Sequence, residues 1–258
     1  MKIAVFVKQV PDSAAKMTVQ NGVVNWGEAP LVINPWDEYA VEAALVLAEK
    51  HGGDVTALSR GSETAKEALK HALAMGCAQA ILISDPTLPA PDASATARVL
   101  AAAATKLGAD LAIFGKQAID SDTGLTAPMT ARLLGWPSLT LVAAITNLDA
   151  AAMSIQVERG IEEGRQIVEG KLPSVLSIVK DFGEPRYPSF MGIRKASKAE
   201  IPTWALADLG IPAPENRVSW PEILSPPPRE GSGDLITGAS PEEIAGKLAD
   251  KLIAEGVL

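Results

Sequence analysis

An apolar run at 111–114 closes on Gly115 and hands over to Lys116, Gln117, Ala118, Ile119, Asp120, Ser121 and Asp122. Thr123, Gly124, Leu125 and Thr126 then lead into a helix of small residues. In an open α/β sheet this is where a ligand sits, outside the carboxyl end of a strand and against a helix N-terminus. Free N–H groups at such a helix start, reinforced by the dipole, favour an anion such as phosphate. Gly124 permits close backbone approach, and the hydroxyls of Thr123 and Thr126 add donors. The same residues have a second use, with Asp122 or Thr123 as the helix cap and nothing bound. The local pattern supports both equally. Asp120 and Asp122 do not suit direct contact with an anion, since unit charges 4 Å apart in a wet site repel by ~1–4 kcal/mol. Lys116 could offset that charge or stay solvated.

The elements that must position this stretch alternate up to about residue 145. Strand-like runs at 3–7, 55–58, 80–83, 111–114 and 139–142 are interleaved with helical patterns at 37–50, 63–75, 93–107 and from near Thr123 to Leu134. Ala40, Val41, Ala44, Leu45 and Ala48 share one face of the first helix, and Ala65, Leu69, Ala72 and Leu73 keep a period near 3.6 in the second. Strands free of charge at this spacing predict a mainly parallel sheet covered on both faces, and right-handed crossovers make it doubly wound. The first strand, with Phe6 near its end, should then border the same crevice as Gly115.

Later the pattern changes. Residues 154–158 and 165–169 flank a turn and predict an antiparallel hairpin, after which 175–179 returns to the sheet. From Gly183 onward proline is frequent, and 225–228 should be extended. A last helix starts at Ser240-Pro241, with Ser at the N-cap, Pro at N1, and Ile244, Leu248 and Leu252 on one stripe. The expected division is 1–183 and 184–258, the second part being an arm with little core of its own. Such an arm folds back on its own domain or packs on another chain.

Composition narrows the classes. The 258 residues, 47% hydrophobic, suffice for a substantial core. A net charge of −8 disfavours nucleic acid as a partner, whose binding rests on basic side chains. One Cys and two His build neither a zinc site nor a disulfide framework. No stretch approaches a membrane span, and the run from Met1 to Val7 has strand length and not the form of a secretory signal, so a soluble protein of a reducing compartment is expected, cytoplasmic if bacterial. No Gly-x-Gly-x-x-Gly, phosphate-loop lysine or His-Glu-x-x-His motif occurs. Within this acidic chain, 186–198 carries Arg186, Arg194, Lys195 and Lys198 and no acid. Phe190 and Met191 sit between Pro188 and Gly192 on what should be an exposed loop. An apolar tip in a basic rim suits docking of a partner; the alternative buries Phe190 and leaves the cations solvated.

The spelling of these segments carries a resemblance. Gly115-Lys-Gln-Ala-Ile-Asp-Ser-Asp122 with Thr126, then Leu-Leu-Gly-Trp-Pro137, resembles the nucleotide-binding segment of electron-transfer flavoprotein β subunits. Val7-Lys-Gln-Val-Pro-Asp12, Asn34-Pro-Trp-Asp-Glu-Tyr-Ala-Val-Glu42 and Glu184-Pro-Arg-Tyr-Pro-Ser-Phe-Met-Gly-Ile-Arg-Lys195 agree with it in order. The resemblance implies an α/β fold of the adenine-nucleotide α-hydrolase type and an electron-carrying subunit rather than an enzyme. AMP would lie among Phe6, Asn34, Pro35, Trp36, Asp37 and the residues from Gly115 to Thr126, with Asp120 and Asp122 on ribose hydroxyls or capping the helix. Most of the FAD site would belong to an α subunit, with Trp36 near the flavin and the C-terminal arm packed on that subunit. Electrons would come from a flavin-dependent dehydrogenase, met by Arg186, Tyr187, Pro188, Ser189, Phe190, Met191, Gly192, Ile193, Arg194 and Lys195, and leave to a downstream acceptor.

The match is not uniform. Ordinary carriers typically have Asp-Asp-Asp here, with Gln before the matching Thr. Bifurcating members, which hold a second FAD at this place, have Gly between the acids and a later Gly-Pro. This chain has Asp-Ser-Asp-Thr, then Leu125 and Ala127-Pro128. Ser121 would crowd a longer dinucleotide only if its backbone needed φ > 0. AMP is therefore the favoured ligand, a second FAD the alternative. A stand-alone adenine-nucleotide-binding protein of the same fold is a further reading, against which the long arm weighs.

Overall fold

The structure, a computed structural model, describes residues 1–88, 92–225, 227 and 233–257. The expected extended run at 225–228 falls partly outside them. The chain opens with β1 (Lys2–Phe6), then two small ribbons in which β2 (Gln9–Pro11) pairs with β5 (Leu31–Ile33) and β3 (Thr18–Gln20) with β4 (Val23–Asn25). Next come α1 (Pro35–His51), β6 (Asp54–Arg60), α2 (Lys66–Met75), β7 (Gln79–Ile83), α3 (Ala93–Leu107), β8 (Leu111–Gly115) and α4 (Thr126–Leu134). The later elements are β9 (Ser138–Asp149), β10 (Ser154–Ile161), β11 (Gly164–Lys171), β12 (Ser174–Ile178), α5 (Phe190–Ala196), β13 (Thr203–Trp204), α6 (Leu206–Leu209) and α7 (Pro241–Ala254).

One nine-stranded sheet runs β11-β10-β9-β12-β8-β1-β6-β7-β13. It is parallel from β9 through β12, β8, β1, β6 and β7 to β13, and antiparallel only at the β9–β10–β11 end. The fold is thus the doubly wound, mainly parallel α/β sheet that the alternation of runs predicts. From β1 the chain builds outward to β6 and β7, then crosses back to place β8 on the other side of β1. The order reverses between β1 and β8, and that leaves a crevice at their carboxyl ends.

Strand alternation divides the core. Ile3, Val5, Leu111, Ile113, Leu176 and Ile178 face α1 and α2 with Ala40, Val41, Leu45 and Leu69. Ala4, Phe6, Ala112, Phe114 and Val175 face α3 and α4 with Val99, Leu100, Ala127 and Ala131. Because both faces are covered, β1 is apolar from Ile3 to Phe6 and β8 from Leu111 to Phe114. The alanine-rich helix faces let the helices lie close to the sheet.

Three features differ from the pattern in the sequence. β9 extends well beyond 139–142, because its outer half pairs with β10. The ribbons between residues 9 and 33 and the edge strand β13 are two or three residues long, too short to show a period. The compact units are Met1–Ile223 and Leu224–Leu258, so residues 184–223 are built onto the sheet domain: α5 packs on α2, and β13 extends the sheet beside β7. In the second unit α7 begins as the sequence predicts, with Pro241 at its first position and the Ser240 hydroxyl accepting from the Glu243 N–H at 3.3 Å. Ile244, Leu248 and Ile253 are exposed on it.

Leu176 lies in the middle of β12 and is fully buried. Leu176→Ala should lower unfolding stability by about 2–5 kcal/mol, measured as a shift in urea midpoint with unchanged m-value.

Candidate functional site

β1 and β8 end side by side, with Phe6 in register with Phe114. Their rings stack at 4.6 Å and 20° and are buried on the α3–α4 face, forming the floor of the crevice. Above that floor the chain makes two turns, 34–37 into α1 and 116–125 into α4, and a short set of contacts fixes one against the other.

Asn34 is the tie. Its side chain is fully buried, and its amide donates to the Gln117 carbonyl at 2.8 Å while its carbonyl accepts from the Ile119 N–H at 3.2 Å. Both ends of the amide reach the second turn and the side chain also hydrogen-bonds Asp37, so Asn34 shapes the crevice and offers a ligand little of its own side chain. Pro35 then fixes φ at the first position of α1. Gly115 lets the turns meet: a Cβ there would stand 2.5 Å from Asp37 Oδ1 and 2.6 Å from the Trp36 carbonyl. Trp36 is half-buried, with the Lys116 ammonium 5.3 Å from its ring centroid. Lys116 thus faces an aromatic ring and not the acids of the turn.

Lys8, which the sequence reading did not single out, holds the carboxylates. Its backbone N–H donates to Asp37 Oδ2 at 2.8 Å, and its ammonium reaches both oxygens of Asp120 at 2.6 and 2.7 Å. The available clue was its position, two residues past the end of β1 at the switch point. Burial pushes the Asp37 carboxyl up to about 7, against the opposing effects of the Asn34 and Lys8 hydrogen bonds. Asp120 is ion-paired, and the exposed Asp122 accepts from the Gln117 amide.

Neither Asp122 nor Thr123 caps the helix. α4 starts at Thr126, later than the expected Thr123, with Leu125 at the cap position and no side-chain hydrogen bond there. The residues between complete a tight turn in which the Ala118 carbonyl accepts from the Ser121 and Asp122 N–H groups. Positive φ falls on Asp122 (51°) and Gly124 (62°), not on Ser121. Left-handed Gly124 is followed by right-handed Leu125 (φ −90°), the alternation by which successive N–H groups can form an anion-binding nest. The N–H groups of Thr123, Gly124, Leu125, Thr126 and Ala127 donate to no acceptor among the described residues. All the crevice residues expected from the sequence, from Phe6 and Asn34 to Thr126, lie on these two strand ends and two turns.

The second expected surface is a helix where a loop was predicted. Ser189 caps α5, its hydroxyl accepting from the Gly192 N–H at 3.0 Å, and Arg194 and Lys195 complement the dipole in the last turn. Tyr187, Phe190, Met191 and Ile193 are exposed, Phe190 by 79%. Arg186 does not belong to the basic rim. It pairs with Glu42 at 2.8 Å and Glu49 at 2.5 Å on α1, whereas Arg194, Lys195 and Lys198 have no ion-pair partner among the described residues. Among the described residues no cluster of side chains could hold a metal, and no helix is long and apolar enough to cross a membrane.

Residues 22–209 match the Electron transfer flavoprotein domain family. Protein FixA of Azorhizobium caulinodans is 39% identical over 82% of this chain and 77% of its own length. The electron transfer flavoprotein subunit beta of Bacillus subtilis is 36% identical over 99% of this chain and 98% of that protein. The Caffeyl-CoA reductase-Etf complex subunit CarD of Acetobacterium woodii is 36% identical over 98% of both.

A carboxyl that keeps its proton in the folded protein up to about 7 binds a proton the unfolded chain releases near its ordinary value of 3.8. Its contribution to stability is full below that ordinary value and is lost as pH rises toward 7. Asp37→Asn keeps an acceptor for the Lys8 N–H and removes the charge. Urea unfolding followed across this window should show a shallower loss of stability in the variant, by up to roughly 1.4 kcal/mol per pH unit. Equal slopes would mean that Asp37 titrates normally.

Proposed function

The chain belongs to the electron transfer flavoprotein β-subunit family, and on that premise we propose that it is the smaller partner of a heterodimeric, cytoplasmic electron carrier that holds an adenylate in the β1–β8 crevice. The observation that carries this reading is the uncapped start of α4, where the N–H groups of Thr123, Gly124, Leu125, Thr126 and Ala127 follow the clamped turn 116–122 and have no acceptor among the described residues. A phosphate there would receive backbone hydrogen bonds and the helix dipole. Asp120, neutralised by Lys8, would not oppose it.

FAD, bound mainly by an α subunit, would supply the electron chemistry. The residues of this chain would contribute position and partner choice. Trp36, fixed by Asn34, Pro35 and Gly115, would cover one side of the flavin. The exposed stripe of α7 would pack on the α subunit. Tyr187, Phe190, Met191 and Ile193, flanked by Arg194 and Lys195, would dock a flavin-dependent dehydrogenase, the apolar side chains filling a pocket and the cations speeding encounter. Electrons would then pass to a downstream acceptor.

A second reading, a second FAD in place of AMP, is compatible with one feature: Ser121 does not take the positive φ at which its side chain would crowd a longer ligand.

Nucleotides released by denaturing the purified heterodimer should be one AMP and one FAD. Two FAD and no AMP would replace the first reading by the second, and a colourless homodimer that binds ATP would defeat both. Phe190→Ala should slow reduction of the flavin by the dehydrogenase about tenfold or more, as loss of a central apolar anchor does, with nucleotide content and heterodimer unchanged. Loss of FAD or separation of the subunits would make Phe190 structural.

A further inference from the structure

Arg186 lies at the start of the segment read above as the dehydrogenase-docking surface, yet its hydrogen bonds run inward. Its backbone N–H donates to Glu42 Oε2 at 3.0 Å. Nε donates to the same oxygen at 2.8 Å, and Nη2 to Glu42 Oε1 at 3.0 Å. Nη1 and Nη2 reach the two oxygens of Glu49 at 2.5 and 3.1 Å. The guanidinium therefore grips two carboxylates seven residues apart on one face of α1, bidentate to each. This is a fork geometry that lysine cannot reproduce. Hydrogen bonding to Glu49 and Glu42 raises the Arg186 pKa further above its ordinary value, and the Glu49 carboxyl is lowered in turn.

Glu42 is the informative member. It is buried, whereas Glu49, two turns further along the same side of α1, is exposed. A buried acid is costly unless paired. A second anchor lies at the other end of the segment. Gly192 abuts the C-terminal end of α2, where a Cβ would stand 2.4 Å from the Ala74 carbonyl oxygen, and Ala196 is buried. Between the two anchors Tyr187, Phe190 and Met191 face outward.

The same helix that receives Arg186 begins at the crevice. Trp36 and Asp37 are in its first turn, and Glu42 is six residues after Trp36, a rise of roughly 9 Å along a straight helix. We infer that Arg186 is a positioning residue: its clasp on Glu42 and Glu49 fixes the docking helix α5 to α1, so that a bound dehydrogenase is held in register with the crevice edge at Trp36. This rests on the reading of α5 as the docking surface. Arg186 would contact neither donor nor flavin.

The test uses the full heterodimer, with amide hydrogen exchange of residues 187–196 and steady-state reduction by the dehydrogenase that reduces the wild type. Arg186→Gln should speed exchange across α5 by about tenfold or more, as expected when a buried carboxylate loses its partner. KM for the dehydrogenase should rise severalfold with little change in kcat. Arg186→Lys should fall between variant and wild type. Glu49→Gln, at an exposed position, should give a smaller change in the same direction and serves if Arg186→Gln folds poorly. Exchange unchanged in every variant would overturn the clasp. Faster exchange with unaltered KM would overturn its role in positioning, provided Phe190→Ala still slows reduction. If Phe190→Ala is also without effect, the docking reading has failed while the clasp itself stands.

Discussion

A single buried amide holds the crevice together. Asn34 sits at the end of one turn with its side chain inside the other, donating to one carbonyl and accepting from one N–H. Neither group has access to water, so each bond is maintained against the full cost of leaving a buried polar group unpaired. The close approach this requires is possible because Gly115 has no side chain. Separating the two turns would strand polar groups in the interior and also displace Trp36 and Asp37, which follow directly in α1. The shape of the turn before α4 and the position of the aromatic edge thus depend on one side chain.

The charge implied by the acidic spelling of the turn is reduced by the neighbours of each acid. Asp120 is neutralised by Lys8. Asp37 keeps its proton well above the ordinary carboxylate range because it is buried. Asp122 is turned outward in a left-handed conformation and hydrogen-bonded to Gln117. The negative charge that remains near the α4 start is small compared with the count of acids in the sequence, while the N–H groups there stay open. The same logic applies at Arg186, which adds to the basic count of its segment but spends its charge on α1.

Helix α1 connects the two surfaces. Its first turn borders the crevice, its middle carries Glu42, and its last two turns carry Glu49. A helix packed along its length behaves as a stiff element, so geometry set at one end is transmitted to the other without any moving part.

The sequence by itself determined the architecture. Uncharged strands at regular spacing, alanine-rich helix faces and the Ser240-Pro241 start of α7 all follow from period, propensity and capping, which act over a few residues. It also brought the right residues to the crevice, since any chain with this strand order places the ends of β1 and β8 together. Tertiary structure decided which of those residues line the crevice and which brace it. Asn34 and Lys8 became braces because their partners, Gln117 and Asp120, are more than 80 positions away. Arg186 became internal because Glu42 and Glu49 precede it by 144 and 137 positions. Short strands such as β13, and the late start of α4, were settled the same way. Local rules assign a conformation to a segment, but the partner of a charge or an amide is a question of distance in space, and only the folded chain sets that distance.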